Sequence, residues 1–231
     1  MNKIIILVLI TFSVSAFSQE IETDTTFTEY HDGKLWKYII RNDIIVGSTC
    51  YEYHDEYGKY FQLLVYLKNK GEYSLVLHPE NISATIFKNN KSKSLLVYPY
   101  EKYMKKIERK QKWSIALNEF AIGLNSGMAG HKTAHVRGWS PRTGYYSGTV
   151  NYYDSGAALT SSLQGRTYLN ELKNKYSVDC SIKSRGYLKI CTIHSDEDIF
   201  GYINIKRKRG SSLNISIPVK GENFIFKWDL K

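Results

Sequence analysis

Lys59-Tyr60-Phe61-Gln62-Leu63-Leu64-Val65-Tyr66-Leu67 alternates along its length. Its odd-numbered positions Phe61, Leu63, Val65 and Leu67 are wholly apolar, while the even-numbered ones mix tyrosine, glutamine and leucine. Successive side chains of a strand point to opposite faces, so this pattern predicts a β-strand with one face in a core. Just upstream, Asp55-Glu56-Tyr57-Gly58 reads as a polar turn joining a strand over 49–53. Further back, two extended runs within 27–40 flank His31-Asp32-Gly33-Lys34, whose Asp-Gly step is a strong hairpin signal. Downstream, Gly71-Glu72 turns into a run at 74–77, Pro79 interrupts, and 82–87 resumes. A polar tip over 89–94 then leads to 95–98. Short alternating runs divided by turns predict an antiparallel sandwich or barrel.

The period changes near Tyr100. Tyr103, Ile107, Trp113, Leu117, Phe120, Ala121 and Leu124 recur at helical spacings with good helix formers between them, until Gly123, Gly127 and Gly130 weaken and end the pattern. A second helix is predicted over 157–176, where Leu159, Leu163, Leu169, Leu172 and Tyr176 lie mostly near one face and Gly165 interrupts. Between them, 131–156 is rich in Gly, Ser, Thr and Tyr. That segment admits three readings: a mobile loop, a short hairpin, or a stretch that orders on meeting a partner. Strands return over 187–194, 199–206, 213–219 and 223–228. Two strand sets, each short of a full sandwich, most simply complete one another. The expected fold is therefore mainly β: a single antiparallel β-sandwich of immunoglobulin-like kind over 19–231, carrying an inserted helical hairpin at about 100–176.

The chain opens with Lys3, an apolar run from Ile4 to Val14 broken by Thr11 and Ser13, and Ala16-Phe17-Ser18 ahead of Gln19. This is the layout of a cleavable secretory signal over 1–18, too short to span a bilayer as an anchor. Cleavage near Ser18 predicts export to the periplasm, the outer-membrane surface or the exterior. No Cys stands at the cleavage site, which argues against a bacterial lipoprotein. The net charge of +10 and the 19 tyrosines suit a basic, soluble surface over half-buried aromatic strands. Outside the cytoplasm such charge fits anionic lipid or an acidic polysaccharide, and export argues against nucleic acid as a partner. Of Cys50, Cys180 and Cys191, the last two are close enough in sequence for a disulfide, and equally suit small buried positions.

Tyr103-Met104-Lys105-Lys106-Ile107 leading to Lys112-Trp113, with Gly186-Tyr187-Leu188-Lys189, Thr192-Ile193-His194 and Gly201-Tyr202-Ile203-Asn204-Ile205-Lys206, resembles a group of secreted proteins of Bacteroidetes-type bacteria. The resemblance covers roughly the second half of the chain. It implies a β-sandwich and brings no activity, since the group is a family of unknown function. Cys180 and Cys191 are not residues such proteins are expected to share.

The best surface candidate is the start of the first helix, where Lys102, Lys105, Lys106, Arg109, Lys110 and Lys112 accompany Tyr103, Met104, Ile107 and Trp113. A basic amphipathic helix can lie on an anionic membrane; the competing reading packs its apolar stripe on the sandwich or the second helix and leaves the lysines solvated. Gly123 and Gly127 have the small-xxx-small spacing of close helix association, within the arm or against another copy. The stretch 113–130 is too polar and too short for a membrane span, so close packing is the better use of it and a pore-forming arm is the remote alternative. Lys206, Arg207, Lys208 and Arg209 form a second basic tip suited to anion contact or to protecting a strand edge.

His131 and His135 lack a Glu and a third ligand, so no metal site is read there. Asp196-Glu197-Asp198 lacks the ligand spacing of a calcium loop. No catalytic residues and no cofactor site emerge. The expected role is a non-enzymatic binding or assembly module of the cell envelope, with self or another envelope protein as partner. The alternatives are a membrane-surface-active protein and, further off, a glycan-directed enzyme.

Overall fold

The computed structural model describes residues 24–89, 91–142 and 144–230, and the export signal read at 1–18 lies outside them. Ahead of the helices run β1 (Thr25–His31), β2 (Lys34–Arg41), β3 (Ile44–Asp55), β4 (Gly58–Asn69), β5 (Leu75–Leu77), β6 (Ser83–Lys88), β7 (Lys91–Leu95) and β8 (Val97–Tyr98). Then come α1 (Tyr100–Gly130), β9 (His131–Ser140), β10 (Gly144–Tyr153) and α2 (Ser155–Arg185). The chain finishes with β11 (Cys191–Ile193), β12 (Asp198–Lys206), β13 (Ser212–Val219) and β14 (Glu222–Asp229).

The protein is mainly β, with antiparallel sheets and two long helices. One six-stranded sheet has the order β1-β2-β3-β4-β12-β8. The other runs β11-β5-β13-β6-β7, with β14 also paired to β13. Strands from either end of the chain alternate: β12 pairs β4 with Ile203 opposite Leu63, and β13 pairs β6 with Ile215 opposite Ala84. One hydrophobic cluster takes Leu63, Val65, Leu67 and Ile203 from the first sheet and Ile215, Ile217 and Phe224 from the second. Phe61, Leu63, Val65 and Leu67 are all buried, as the alternation of β4 requires. At the β1–β2 turn Asp32 and Gly33 have φ of 50° and 71°, the double left-handed conformation of a type I′ hairpin.

Helix α1 runs through Gly123 and Gly127 and ends at Gly130, where the glycine series was expected to stop it, since a glycine inside a helix costs only about 1 kcal/mol and α2 lies alongside. Two local expectations change. Helix α2 extends nine residues past Tyr176 to Arg185, so the helical interruption outlasts its predicted end. The strand expected over 187–194 is reduced to β11, with Tyr187 forming an isolated parallel bridge to Tyr202. The Tyr/Gly-rich segment is a regular antiparallel hairpin, β9 paired with β10 from His131↔Tyr153 to Ser140↔Gly144.

Candidate functional site

The helices and hairpin form one arm, held at its base by a polar and aromatic junction. Asp55, in the β3–β4 turn, is the hub. Its Oδ1 accepts the backbone N–H groups of Tyr57 (2.9 Å) and Gly58 (3.0 Å). Its Oδ2 accepts Lys183 Nζ from α2 (2.9 Å) and the Tyr103 hydroxyl from α1 (3.2 Å). The Asp55 and Lys183 side chains are only 9% and 11% exposed. Burial opposes the Lys183 ammonium, but the Asp55 hydrogen bond and the charges of Asp55 and Asp179 outweigh it and raise its pKa. Tyr57 donates to Asp179 (2.6 Å) and accepts from Gln111 (2.8 Å), so one ring ties both helices to the same turn. Beneath them Tyr103 stacks on Tyr187 at 4.9 Å and meets Tyr60 edge-on at 5.8 Å. Burial drives the phenol pKa values of Tyr57, Tyr60, Tyr103 and Tyr187 well above the ordinary range, and that of Tyr202 to about 12. These hydroxyls stay protonated and serve the junction as hydrogen-bonding groups on packed rings.

Beyond the base the two helices rely on each other. Tyr176 donates to Ser114 (2.8 Å), Lys173 pairs with Glu119 (3.2 Å), and a Cβ on Gly165 would collide with Ile122. The close approach therefore falls at Gly165. Gly123 and Gly127 face open space, with nothing near enough to meet an added Cβ. Among the described residues, the hydrogen bonds and ion pairs joining helices to sheets all come from positions 100–111 and 179–185. A helix of 31 residues is about 46 Å long, so the rest of the arm extends past its anchorage.

The outer face of α1 is apolar and bare. Trp113, Leu117, Phe120, Leu124 and Met128 follow at spacings of three and four, the stripe that packs in helix–helix contacts. Every one is more than half exposed, Met128 at 71%. On α2, Leu159, Leu163 and Tyr168 are also exposed. Because Ile122 faces Gly165, Leu163 stands at the level of Leu124 and Leu159 near that of Met128. From Trp113 to Gly130 the one charged residue is Glu119, already paired across the arm.

At the far end, the register sorts the hairpin into two faces. His131, Thr133, His135 and Arg137 share a face with Ser147, Thr149 and Asn151. Thr133 donates to Asn151 (2.9 Å), and Thr149 meets His135 Nδ1 at 3.2 Å. The opposite face carries Ala134, Val136, Gly138, Gly148 and Val150, with Lys132 and Tyr152 at its near end. Lys132 pairs with Asp154 at 2.5 Å, and Asp154 also caps α2 by accepting Ala157 N–H at 3.0 Å.

Of the basic residues singled out in sequence, Lys106 and Lys110 turn back onto the sheets. Lys106 donates to the Tyr60 hydroxyl (2.7 Å), and Lys110 donates to the Glu56 carbonyl. Lys102, Lys105 and Arg109 remain exposed, as does Trp113. Lys102 and Lys105 border a groove of about 620 Å³ with Pro79, Tyr100 and Leu188. Arg207 is engaged by Glu52 at 2.7 Å. The two basic stretches converge: the Lys106 pKa is lowered by burial and, against the pull of Asp55, by Lys206 and Lys110. Lys93 likewise depresses Lys208. Arg209 is exposed.

Cys50, Cys180 and Cys191 are free thiols, with Cys180 donating to Gln111 Oε1 at 3.3 Å and burial pushing Cys50 up to about 12. His131 and His135 share a face of β9, the first packed on Tyr153 at 5.2 Å. Among the described residues no group of three His, Cys, Asp or Glu side chains could hold a metal ion. No helix among them is long and apolar enough to cross a membrane.

Sequence reasoning missed Asp55, Tyr57 and Asp179, because their importance lies in contacts between distant segments. For 131–156 a short hairpin was one of three readings, and the pairing of β9 with β10 selects it. No family model matches the chain, and neither curated proteins nor solved structures give a match, so the geometry above stands alone as the basis for function.

Proposed function

We propose that the chain is an exported, non-enzymatic module of the cell envelope, whose arm is an assembly device packing against further copies of itself. The signal read at the N-terminus supports export. The architecture we assign is an immunoglobulin-like β-sandwich with a helix–hairpin–helix insertion, consistent with the resemblance to secreted Bacteroidetes-type proteins. The observation that carries the reading is the exposed stripe Trp113-Leu117-Phe120-Leu124-Met128 on an arm locked at its base. Stripes of this kind are normally covered, and a second apolar face on α2 at matching levels offers the cover. Packing α1 of one copy on α2 of the next is a head-to-tail contact, which closes into a ring when the rotation permits.

Gel filtration with light scattering on the chain lacking 1–18 tests this. A mass several times the monomer is expected, with Phe120→Asp and Leu124→Asp together reducing it to a monomer at unchanged melting temperature. A wild-type chain that stays monomeric up to high concentration, with or without detergent, overturns the reading.

A second reading, adsorption to anionic lipid or polysaccharide, draws on the convergence of Lys106, Lys110 and Lys206 at the arm's base. Flotation with anionic vesicles at low salt, where attraction is strongest, tests it through Lys206→Glu and Lys208→Glu. Unaltered flotation of this variant removes it.

A further inference from the structure

The hairpin at the end of the arm has the pattern of a membrane-crossing β-segment. Each strand has ten residues, within the span of about nine to eleven needed for a tilted transmembrane strand. Ten residues extend about 33 Å, or about 23 Å along the normal at a 45° tilt, close to the roughly 25 Å apolar band of such barrels. Over the middle of the hairpin one face carries Ala134, Val136, Gly138, Gly148 and Val150, and the other Thr133, His135, Arg137, Ser147, Thr149 and Asn151. The latter face ends in Tyr153 toward the arm and in Trp139 and Tyr145 toward the turn. That alternation, apolar outside and polar inside, is the signature of a barrel wall. The register puts Tyr152 toward the arm end of the apolar face. No Asp or Glu occurs from His131 to Tyr153.

Among the described residues β9 and β10 pair only with each other. Each therefore leaves one edge of backbone donors and acceptors unpaired. Water can satisfy those groups, but hydrocarbon cannot, so one hairpin alone cannot enter a bilayer. Several can, if β9 of one copy pairs with β10 of the next until no edge remains. The head-to-tail packing of arms supplies that geometry, and about eight strands, the smallest such barrels, need four copies.

We propose that the hairpins of several copies close into a β-barrel that spans a lipid bilayer, its lumen lined by Thr133, His135, Arg137, Ser147, Thr149 and Asn151. This rests on the assembly reading of the arm. The lumen then carries one fixed charge per copy, Arg137, and the pore prefers anions. Lys132 falls at the arm-side boundary of the apolar face, already paired with Asp154.

The test uses vesicles of phosphatidylcholine and phosphatidylglycerol loaded with a fluorophore, together with planar-bilayer recording. The wild-type chain is expected to release the dye and to pass chloride several-fold better than potassium. Val136→Arg with Val150→Arg alters only exposed positions on the lipid face and is expected to slow release at least tenfold. Arg137→Glu, on the lumen face, is expected to keep release and reverse the ion preference. Circular dichroism establishes that both variants are folded. Flotation without release, release unchanged by the lipid-face variant, or an ion preference indifferent to Arg137→Glu overturns the barrel. Light scattering of the same samples separates the two claims. A chain that assembles in detergent yet leaves vesicles sealed overturns the barrel alone, whereas one that stays monomeric overturns the assembly reading and the barrel with it.

Discussion

Asp55 shows how one side chain can organise a junction that no sequence motif announces. Its two oxygens accept four hydrogen bonds, two from its own turn and one from each helix. Removing the carboxylate leaves Lys183 buried, with Asp179 at 3.8 Å as its remaining counter-charge. Breaking a buried ion pair from one side costs about 3 kcal/mol or more, since the surviving charge is left uncompensated. Asp55→Ala is therefore expected to lower the melting temperature by roughly 6–12 °C in a chain of this size. Calorimetry checks this, and a shift under 2 °C would show that Asp179 alone suffices. From sequence, Asp55 read as one residue of a polar turn, which was correct locally. Its partners lie 48 and 128 positions away, beyond any local signal.

Among the elements, the hairpin and helices divide into parts with different dependence on the sheets. The base of the arm shares the hydrophobic cluster through Tyr103 and Ile107, whereas among the described residues β9 and β10 add nothing to that cluster and pair as strands with each other. Excising 131–153 and joining the helices by a short glycine–serine linker is thus expected to leave the melting temperature within about 2 °C of wild type. Retained β signal in circular dichroism and an unchanged melt are the readout; collapse of the melt would mean the tip supports the fold. Helical period and strand alternation were legible for β4, α1 and α2, because side-chain patterns within one element depend on nearest neighbours. The hairpin was left among three readings, since Gly138, Ser147 and Gly148 weaken both propensity and contrast. The apparent helix-breaker Gly165 proved to be the point of closest approach to Ile122, a role visible only with both helices in place.

At the scale of the whole molecule, the tyrosine-lined junction makes stability sensitive to alkali. Tyr57, Tyr60, Tyr103 and Tyr187 have folded pKa values raised above the unfolded value, chiefly by burial. Stability linked to them is intact below the unfolded tyrosine pKa near 10 and is lost as pH climbs above it, because the unfolded chain releases those protons first. Tyr202 at about 12 and Cys50 at about 12 act in the same direction. The urea midpoint is expected to fall steeply from pH 10 to 12, with phenolate absorbance rising in step with unfolding. A midpoint flat through pH 12 would contradict the burial of these phenols.

The sequence by itself determined the mainly β character, the hairpin turn at Asp32-Gly33, the buried face of β4 and the presence of two helices, because each rests on periodicity or backbone preference within a few residues. Only the tertiary structure decided that strands from both ends of the chain interleave around one core and that Asp55 joins three segments. It alone showed that α1 leaves an apolar stripe uncovered and that the Tyr/Gly segment pairs into two chemically distinct faces. Those outcomes depend on which distant surfaces meet, and the free energy of such contacts is set by geometry that no local pattern encodes.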